Sequence, residues 1–233
     1  MTAEAGDAVI LCGGLGTRLR SVLSDRPKPM ADVGGKPFLE RLIDWAVGQG
    51  VRRFILCVGH QARAIKDHFR GFSAAAIEFS EEAEPLGTGG ALKLCEPLCR
   101  KDLTLVLNGD SFCPIDLSRL EKFHRRHGGA ATVAAVPGGE RSDGGALSID
   151  ARGAITAFQE KAPSQGKLIN AGIYAFDRRI FELIPAGKAC SLEREILPGL
   201  IGTGLSAYTE DRPLYDIGTP ERLELFRRLN KQA

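Results

Sequence analysis

The 233-residue sequence has few aromatic residues, no long hydrophobic run and almost no net charge. Aromatic residues make up 6% of the chain, and 31 Lys and Arg residues nearly balance 29 Asp and Glu residues. A formal net charge of +2 argues against a general nucleic-acid binder and against a polybasic membrane anchor. No apolar run approaches the roughly 18 residues that span a bilayer, and the polar N-terminus is unlike a secretory signal peptide. We therefore expect a cytoplasmic protein with neither nucleic-acid nor membrane partners.

The six cysteines form no C-x-x-C pair, and none lies at zinc-ligand spacing from a histidine. This excludes the common zinc and redox motifs and favours free thiols in a reducing compartment. His124 and His127 are one helical turn apart, but no H-E-x-x-H pattern surrounds them. We interpret these two histidines as part of a solvated helix face.

Short apolar runs alternate with helical periodicity over the first 130 residues, as at Ala8–Cys12, Phe54–Val58 and Leu103–Leu107. After Ala130, closely spaced strand patterns follow with glycine-rich turns between them. Such alternation is typical of a parallel sheet with helices on both faces, and the second pattern predicts added strands. We predict an α/β fold: a Rossmann-like three-layer sandwich with a mixed, mostly parallel central sheet and a small β-rich lobe.

A glycine-rich loop, GGLGTRL at Gly13–Leu19, directly follows the first predicted strand. Glycines allow backbone amides to approach a phosphate chain closely because no Cβ intervenes. A dinucleotide fingerprint would need Gly or Ala at Leu19, and the G-K-[ST] ending of a P-loop is missing. The loop instead contains Arg18 and is followed by Lys28. A simple strand-to-helix turn would explain the glycines but not the two cations, so the pattern predicts a triphosphate site.

GGLGTRL followed by PKPM at residues 27–30 resembles the signature of the sugar-1-phosphate nucleotidyltransferases. Five further segments resemble elements of this family in the same order: EPLGTGG at 84–90, LNGD at 107–110, EK at 160–161, NAG at 170–172 and DIGTP at 216–220. The resemblance covers nearly the whole chain. It implies a single nucleotidyltransferase domain over residues 1–233, with a nucleotide-binding core in 1–130 and a sugar-phosphate-binding part in 131–233.

The resemblance also implies the site residues. It assigns catalysis to Arg18, Lys28 and Lys161, and a Mg²⁺ cofactor to Asp110 and Asp216. The nucleotide would contact Leu11, Gly13, Gly14, Gly16, Thr17, Glu82, Pro85, Gly87, Thr88 and Asn108. The sugar phosphate would contact Gly145, Glu160, Lys161, Asn170 and Gly172. Purely structural roles stay open for single residues: Asp110 as a turn residue, Asp216 as a helix cap, and Glu160-Lys161 as a surface ion pair. We interpret Glu193 as a first-turn helix acid and leave it out of the site.

The implied reaction transfers a nucleotidyl group from an NTP to a sugar 1-phosphate and releases pyrophosphate. The likeness within the family is to guanylyltransferases of heptose 1-phosphate, so GTP and heptose 1-phosphate are the expected substrates. Mannose 1-phosphate guanylyl transfer, N-acetylmuramate 1-phosphate uridylyl transfer and a non-catalytic regulatory subunit are the alternatives. The sequence does not decide which sugar is used, whether allosteric effectors act, or whether the protein forms a homo-oligomer. One departure from the family pattern is Asp143, where many relatives carry an aromatic residue.

Glu82 is the residue on which the base prediction depends. A carboxylate only accepts hydrogen bonds, and guanine alone among the common bases presents two adjacent donors on its Watson–Crick edge. The alternative is a solvated acidic loop, because Glu81 and Glu84 lie close by in the sequence. The sequence thus predicts a preference for GTP that depends on one acidic side chain.

Overall fold

A computed structural model of the protein describes residues 7–14, 16, 19, 23, 26–139, 145–159 and 167–230. Four predicted site residues, Thr17, Arg18, Glu160 and Lys161, lie outside the described residues. The departure at Asp143 lies outside them as well.

The first half of the chain alternates strands and helices, as its periodicity predicts. Its elements are β1 (Asp7–Leu11), β2 (Asp32–Val33), β3 (Lys36–Pro37), α1 (Phe38–Gly48), β4 (Arg53–Val58), α2 (Ala62–His68), β5 (Ala76–Glu81), α3 (Gly87–Leu94), β6 (Leu103–Asn108), β7 (Ser111–Phe112) and α4 (Leu117–His127). A 3₁₀ turn at Lys28–Met30 follows the glycine loop.

The second half is richer in strands. Its elements are β8 (Ala131–Pro137), β9 (Ala146–Ile149), β10 (Ile155–Gln159), β11 (Leu168–Asp177), β12 (Leu205–Thr209), β13 (Tyr215–Asp216) and α5 (Pro220–Asn230). The sequence at 192–200 has helical periodicity, which predicts a helix there. The structure instead forms a π-helical turn, Leu192–Ile196, and a 3₁₀ turn, Pro198–Leu200. Because Pro198 has no N–H to donate, a regular α-helix does not run through it.

In the described part of the chain, nine strands form one mixed sheet. Strands β5, β4, β1 and β6 lie side by side and are all parallel. Strand β11 pairs antiparallel with β6, β8 and β9, while β12 lies parallel to β8 and β10 completes a hairpin with β9. This is the predicted Rossmann-like sheet with an added β-rich part.

Alternate residues of the central strands point to opposite faces of the sheet, as a pleated strand requires. Ile10 of β1 joins a buried cluster with α1, α2 and α4, whereas Val9 joins a second cluster with α3 and the later helical turns. A smaller cluster packs α5 against the start of α1, where the rings of Phe38 and Phe226 are 5.1 Å apart. The three predicted layers are therefore present.

Two expectations about titratable side chains have different outcomes. All six cysteines are buried and free, as predicted. The interpretation of His124 as a solvated residue is wrong, because His124 is buried and its Nδ1 lies 2.9 Å from Thr132 Oγ1 of β8. Burial lowers the pKa of His124 to about 4, with Asp177 opposing this shift. His127 is exposed.

Among the described residues, no helix is long and apolar enough to cross a membrane.

Candidate active site

A pocket of about 370 Å³ opens where β1 and β6 end. In parallel sheets the carboxyl ends of neighbouring strands meet at one edge, and ligands bind there. Every described residue predicted to contact the nucleotide lines this pocket: Leu11, Gly13, Gly14, Gly16, Glu82, Pro85, Gly87, Thr88 and Asn108. Lys28 and Asp110 line it as well. The structure thus brings together motifs that are about 100 residues apart in the chain.

The cation and the carboxylate of this pocket form a direct ion pair. Lys28 Nζ lies 2.6 Å from Asp110 Oδ2. Lys28 lies between two prolines on the 3₁₀ turn, which restrict its backbone. Its Cβ lies close to Gly16, where an added Cβ would be 3.3 Å away. The Lys28 side chain is 12% exposed and that of Asp110 is 44% exposed, so the carboxylate keeps a face open to a ligand.

The Glu82 carboxylate lies between two glycines that follow parallel strands. A Cβ on Gly13, after β1, would come within 2.5 Å of Glu82 Oε1, and a Cβ on Gly59, after β4, within 2.6 Å. Only glycine leaves room for the carboxylate at this distance. Glu82 Oε2 accepts a hydrogen bond from the Leu86 backbone N–H at 3.0 Å. Burial raises the pKa of Glu82, and this hydrogen bond opposes the rise.

The neighbouring acidic residues lie in a different environment. Glu81 pairs with Lys66 on the surface, and Glu84 is exposed. Neither lines the pocket that holds Lys28 and Asp110, although both, like Glu82, line a second, more open cavity beside it. Of the three acidic side chains in this loop, only Glu82 reaches the pocket.

The two predicted metal ligands come from distant parts of the chain and meet at a short antiparallel ribbon. Strand β13 pairs with β7 so that Asp216 opposes Ser111, and the Ile217 N–H donates to the Asp110 carbonyl oxygen at 3.0 Å. Asp216 Oδ1 accepts from the Gly218 N–H at 2.8 Å, and Arg222 Nη1 lies 3.1 Å from both Asp216 oxygens. Gly218 itself lines the pocket.

The carboxylates at this ribbon suit Mg²⁺ better than they suit a metal ion whose ligands are all protein side chains. Among the described residues, no group of three or more His, Cys, Asp or Glu side chains could hold a metal ion. Mg²⁺ commonly takes one or two carboxylates and completes its shell with water and substrate phosphates. Asp110, on the pocket wall, and Asp216, beside it, match that chemistry.

The described residues predicted for the sugar phosphate, Gly145, Asn170 and Gly172, do not line the pocket. The Asn170 backbone N–H donates to the Gly145 carbonyl oxygen at 2.9 Å, which joins two of these residues. Gly172 has a φ of +70°, and a Cβ there would come within 2.9 Å of Asn108 Nδ2. A side chain at position 172 would therefore collide with a pocket residue. Asn108 Oδ1 is buried, with no hydrogen-bond partner among the described residues, and can accept from a ligand.

Several residues at the site were missed in the sequence analysis. Gly59 had a usable signal, because it follows a buried strand as Gly13 does. The residues Cys12, Leu19, Pro29, Ala91 and Gly218 also line the pocket. Glu193 was left out, yet it accepts hydrogen bonds from Thr88 and Tyr174. No sequence pattern marks Glu193 as a site residue, because its hydrogen-bond partners lie on α3 and β11, far from it in the chain.

Comparison with known families identifies the class. The model of the Nucleotidyl transferase family matches residues 7–230, which is nearly the whole chain. The protein therefore belongs to the nucleotidyl transferase family. This confirms the resemblance inferred from the glycine loop and the segments that follow it.

Individual relatives include guanylyltransferases for two sugars. The chain is 36% identical to the D-glycero-alpha-D-manno-heptose 1-phosphate guanylyltransferase of Campylobacter jejuni, over 92% of this chain and 95% of that protein. It is 35% identical to the mannose-1-phosphate guanylyltransferase of Mycobacterium tuberculosis, over 95% of this chain but only 63% of that protein. The crystal structure of HddC from Yersinia pseudotuberculosis superposes with a TM-score of 0.86 at 35% identity, covering 97% and 99% of the two chains. HddC complexed with GMP-PN superposes with a TM-score of 0.85.

Proposed function

We propose that this protein transfers GMP from GTP to heptose 1-phosphate and releases pyrophosphate. The observation that carries the proposal is one pocket that combines the glycine loop, the Lys28–Asp110 pair and the half-buried Glu82 carboxylate. The heptose enzyme of Campylobacter jejuni supports the sugar, because the match covers nearly all of both chains. The match to the mycobacterial mannose enzyme leaves over a third of that protein uncovered.

In the proposed reaction, an oxygen of the sugar phosphate attacks the α-phosphorus of GTP, and the bond to the bridging oxygen of pyrophosphate breaks. No covalent protein intermediate is needed, so the enzyme chiefly positions the reactants and balances their charge. Lys28 and Arg18 would hold the triphosphate and the departing pyrophosphate. Lys161 and Glu160 would hold the sugar phosphate.

Mg²⁺ is the proposed cofactor, held by Asp110 and Asp216. When bound, it would supply charge stabilisation at the phosphates. Asp110 is the better exposed of the two carboxylates, and its present partner is the Lys28 ammonium group. With a cation held by Asp110, the Lys28 ammonium group would be available to bind phosphate oxygens.

Base selection is proposed to depend on Glu82. Its Oε2 is fixed by the Leu86 N–H, and its Oε1 lies against the backbone of Gly13 and Gly59. A carboxylate held in this way accepts from the guanine N1–H and exocyclic amine, whereas uracil, thymine, cytosine and adenine each oppose an acceptor to it. Charge-assisted hydrogen bonds of about 1.5–3 kcal/mol each are large enough to select one base.

A substrate grid tests the proposal. Pyrophosphate release would be measured for GTP, UTP, dTTP, CTP and ATP against heptose 1-phosphate, mannose 1-phosphate and N-acetylmuramate 1-phosphate, with Lys28→Ala as the impaired variant. We expect the highest kcat/KM for GTP with heptose 1-phosphate. A preference for UTP or dTTP would contradict guanylyl transfer. Turnover of no pair would instead support a non-catalytic regulatory subunit.

A further inference from the structure

Glu193 lies at the centre of a chain of hydrogen bonds that joins the nucleotide pocket to the predicted sugar residues. Its Oε2 accepts from Thr88 Oγ1 at 2.7 Å, and Thr88 lines the pocket. Its Oε1 accepts from the Tyr174 hydroxyl at 3.2 Å. That hydroxyl accepts in turn from Asn170 Nδ2 at 2.8 Å. Three elements, α3, β11 and the π-helical turn, meet at this one carboxylate.

The direction of every hydrogen bond around Glu193 is determined by its neighbours. Thr88 Oγ1 accepts from the Leu192 N–H at 2.9 Å, so its proton points to Glu193. Ser191 Oγ accepts from the Arg194 N–H at 3.2 Å and donates to Glu193 Oε2 at 3.0 Å. A carboxylate only accepts, so it suits donors on both of its oxygens.

The same argument extends to Asn170. Because Tyr174 donates to Glu193, its oxygen is left to accept from Asn170 Nδ2. At the other end of the amide, Asn170 Oδ1 accepts from the Gly172 N–H at 2.9 Å. A backbone N–H can only donate, so both contacts require the same orientation of the amide group. The fully buried Tyr174 ring keeps this arrangement in place.

We propose that Glu193 is a positioning residue that, together with the Gly172 N–H, holds the Asn170 amide in one orientation for binding the sugar 1-phosphate, an inference that rests on the proposed function. Glu193 acts through Tyr174. The remaining N–H and lone pair of Asn170 then face the sugar hydroxyls in one fixed arrangement.

Glu193→Gln is the sharpest test because it changes hydrogen-bond direction with little change in shape. Thr88 and Ser191 both present protons, so the new amide oxygen must face them and its NH₂ group must face Tyr174. The Tyr174 hydroxyl would then meet two N–H donors, and its own proton would lose its acceptor, so we expect the contact with Asn170 to weaken or break. Rotating the Asn170 amide instead would set its NH₂ group against the Gly172 N–H. The nucleotide side keeps its hydrogen bonds, whereas Asn170 loses one of the two contacts that hold its amide.

The expected result is therefore asymmetric between the two substrates. We expect the KM for the sugar 1-phosphate to rise about tenfold, as for one lost charge-assisted contact, while the KM for GTP changes by less than about twofold. Tyr174→Phe should raise the same KM, and the double variant should be no worse than the poorer single variant, because both changes break one chain. Glu195→Gln, an exposed change two residues away, is the matched control. Calorimetric binding of GTP checks that each variant is folded.

The outcomes separate the two proposals. An inactive wild type with every sugar phosphate contradicts the proposed function and this inference with it. An active wild type with an unchanged sugar-phosphate KM in Glu193→Gln contradicts the role of Glu193 alone. An equal rise in both KM values, or additive effects in the double variant, would indicate a merely structural residue and would also overturn the inference.

Discussion

The described residues of 7–130 and of 131–230 contribute to the candidate site in different ways. In the first region, glycines at the ends of parallel strands let a side chain lie directly against the main chain, as Gly13 and Gly59 do for the Glu82 carboxylate. In the second region, the Asn170 amide contacts Tyr174, and Tyr174 contacts Glu193. The glycines are recognisable in the sequence, whereas the hydrogen-bond chain behind Asn170 is not, because it joins side chains from separate elements.

The largest expected effect comes from the aspartates where the two regions meet. Asp110→Asn and Asp216→Asn should each lower turnover on the order of a hundredfold or more, because charge stabilisation at the transferring phosphate is lost. Steady-state kinetics of pyrophosphate release would measure it, with the exposed Asp67→Asn as control. Activity should vanish with a chelator and return with Mg²⁺. Undiminished rates in excess EDTA would refute the metal assignment.

Glu82→Gln tests the first region by itself. The amide of the variant presents an N–H group to one of the two adjacent donors of guanine, N1–H or the exocyclic amine, so the variant should lose about thirtyfold in its preference for GTP over UTP. The measurement is the ratio of kcat/KM values for the two nucleotides. Glu81→Gln, on the neighbouring surface residue, should leave the ratio unchanged. An equal loss in both variants would mean that net charge, and not the fixed carboxylate, selects the base.

His124 tests the packing between the regions, because α4 belongs to the first and Thr132 to the second. Burial lowers the pKa of His124 to about 4 from the usual histidine value of 6.5, so the unfolded chain binds the proton first as the pH falls. Stability from this residue is complete above pH 6.5 and is lost as the pH falls toward 4. We expect a loss of about 1–2 kcal/mol over this window.

Chemical denaturation of the wild type and of His124→Gln at several pH values would check this. Carboxylates titrate in the same window, so the informative quantity is the difference between the two proteins. The difference should shrink as the pH falls, because the neutral glutamine side chain does not take up a proton. His127→Gln, at an exposed position of the same helix, should show the wild-type pH dependence. A constant difference between wild type and His124→Gln would show that burial does not keep His124 neutral.

The smallest expected effect is that of Gly59→Ala, which sharpens the backbone part of the comparison. The new Cβ would lie 2.6 Å from Glu82 Oε1 and 2.8 Å from its Cγ, so the flexible carboxylate must shift. We expect the preference for GTP to fall by about threefold with folding retained. Gly199→Ala, which has open space around its Cβ position, is the control. An unchanged base preference would show that the position of Glu82 against Gly59 is unimportant.

The amount that was predictable differs between the two regions. Strands β1, β4 and β6 and helices α1, α2 and α4 follow the periodicity closely, since each element buries one regular face. Helix α3, strand β12 and the β2–β3 and β7–β13 ribbons were not predicted, because short strands carry little periodic signal and α3 begins in a glycine-rich segment. The helical pattern at 192–200 was right about local turns but wrong about their type.

The α/β class, the glycine loop and the segments that identify the nucleotidyl transferase family can be recognised in the amino-acid sequence alone. These signals are local, because they depend on backbone freedom and on repeating burial along one element. The folded structure was needed to show that Glu82 enters the pocket while Glu81 and Glu84 do not, that His124 is buried, and that Glu193 joins Thr88 to Tyr174. Each of these depends on which distant segments pack around a polar side chain. Burial and hydrogen bonding are properties of that packing, and no spacing along the chain encodes them.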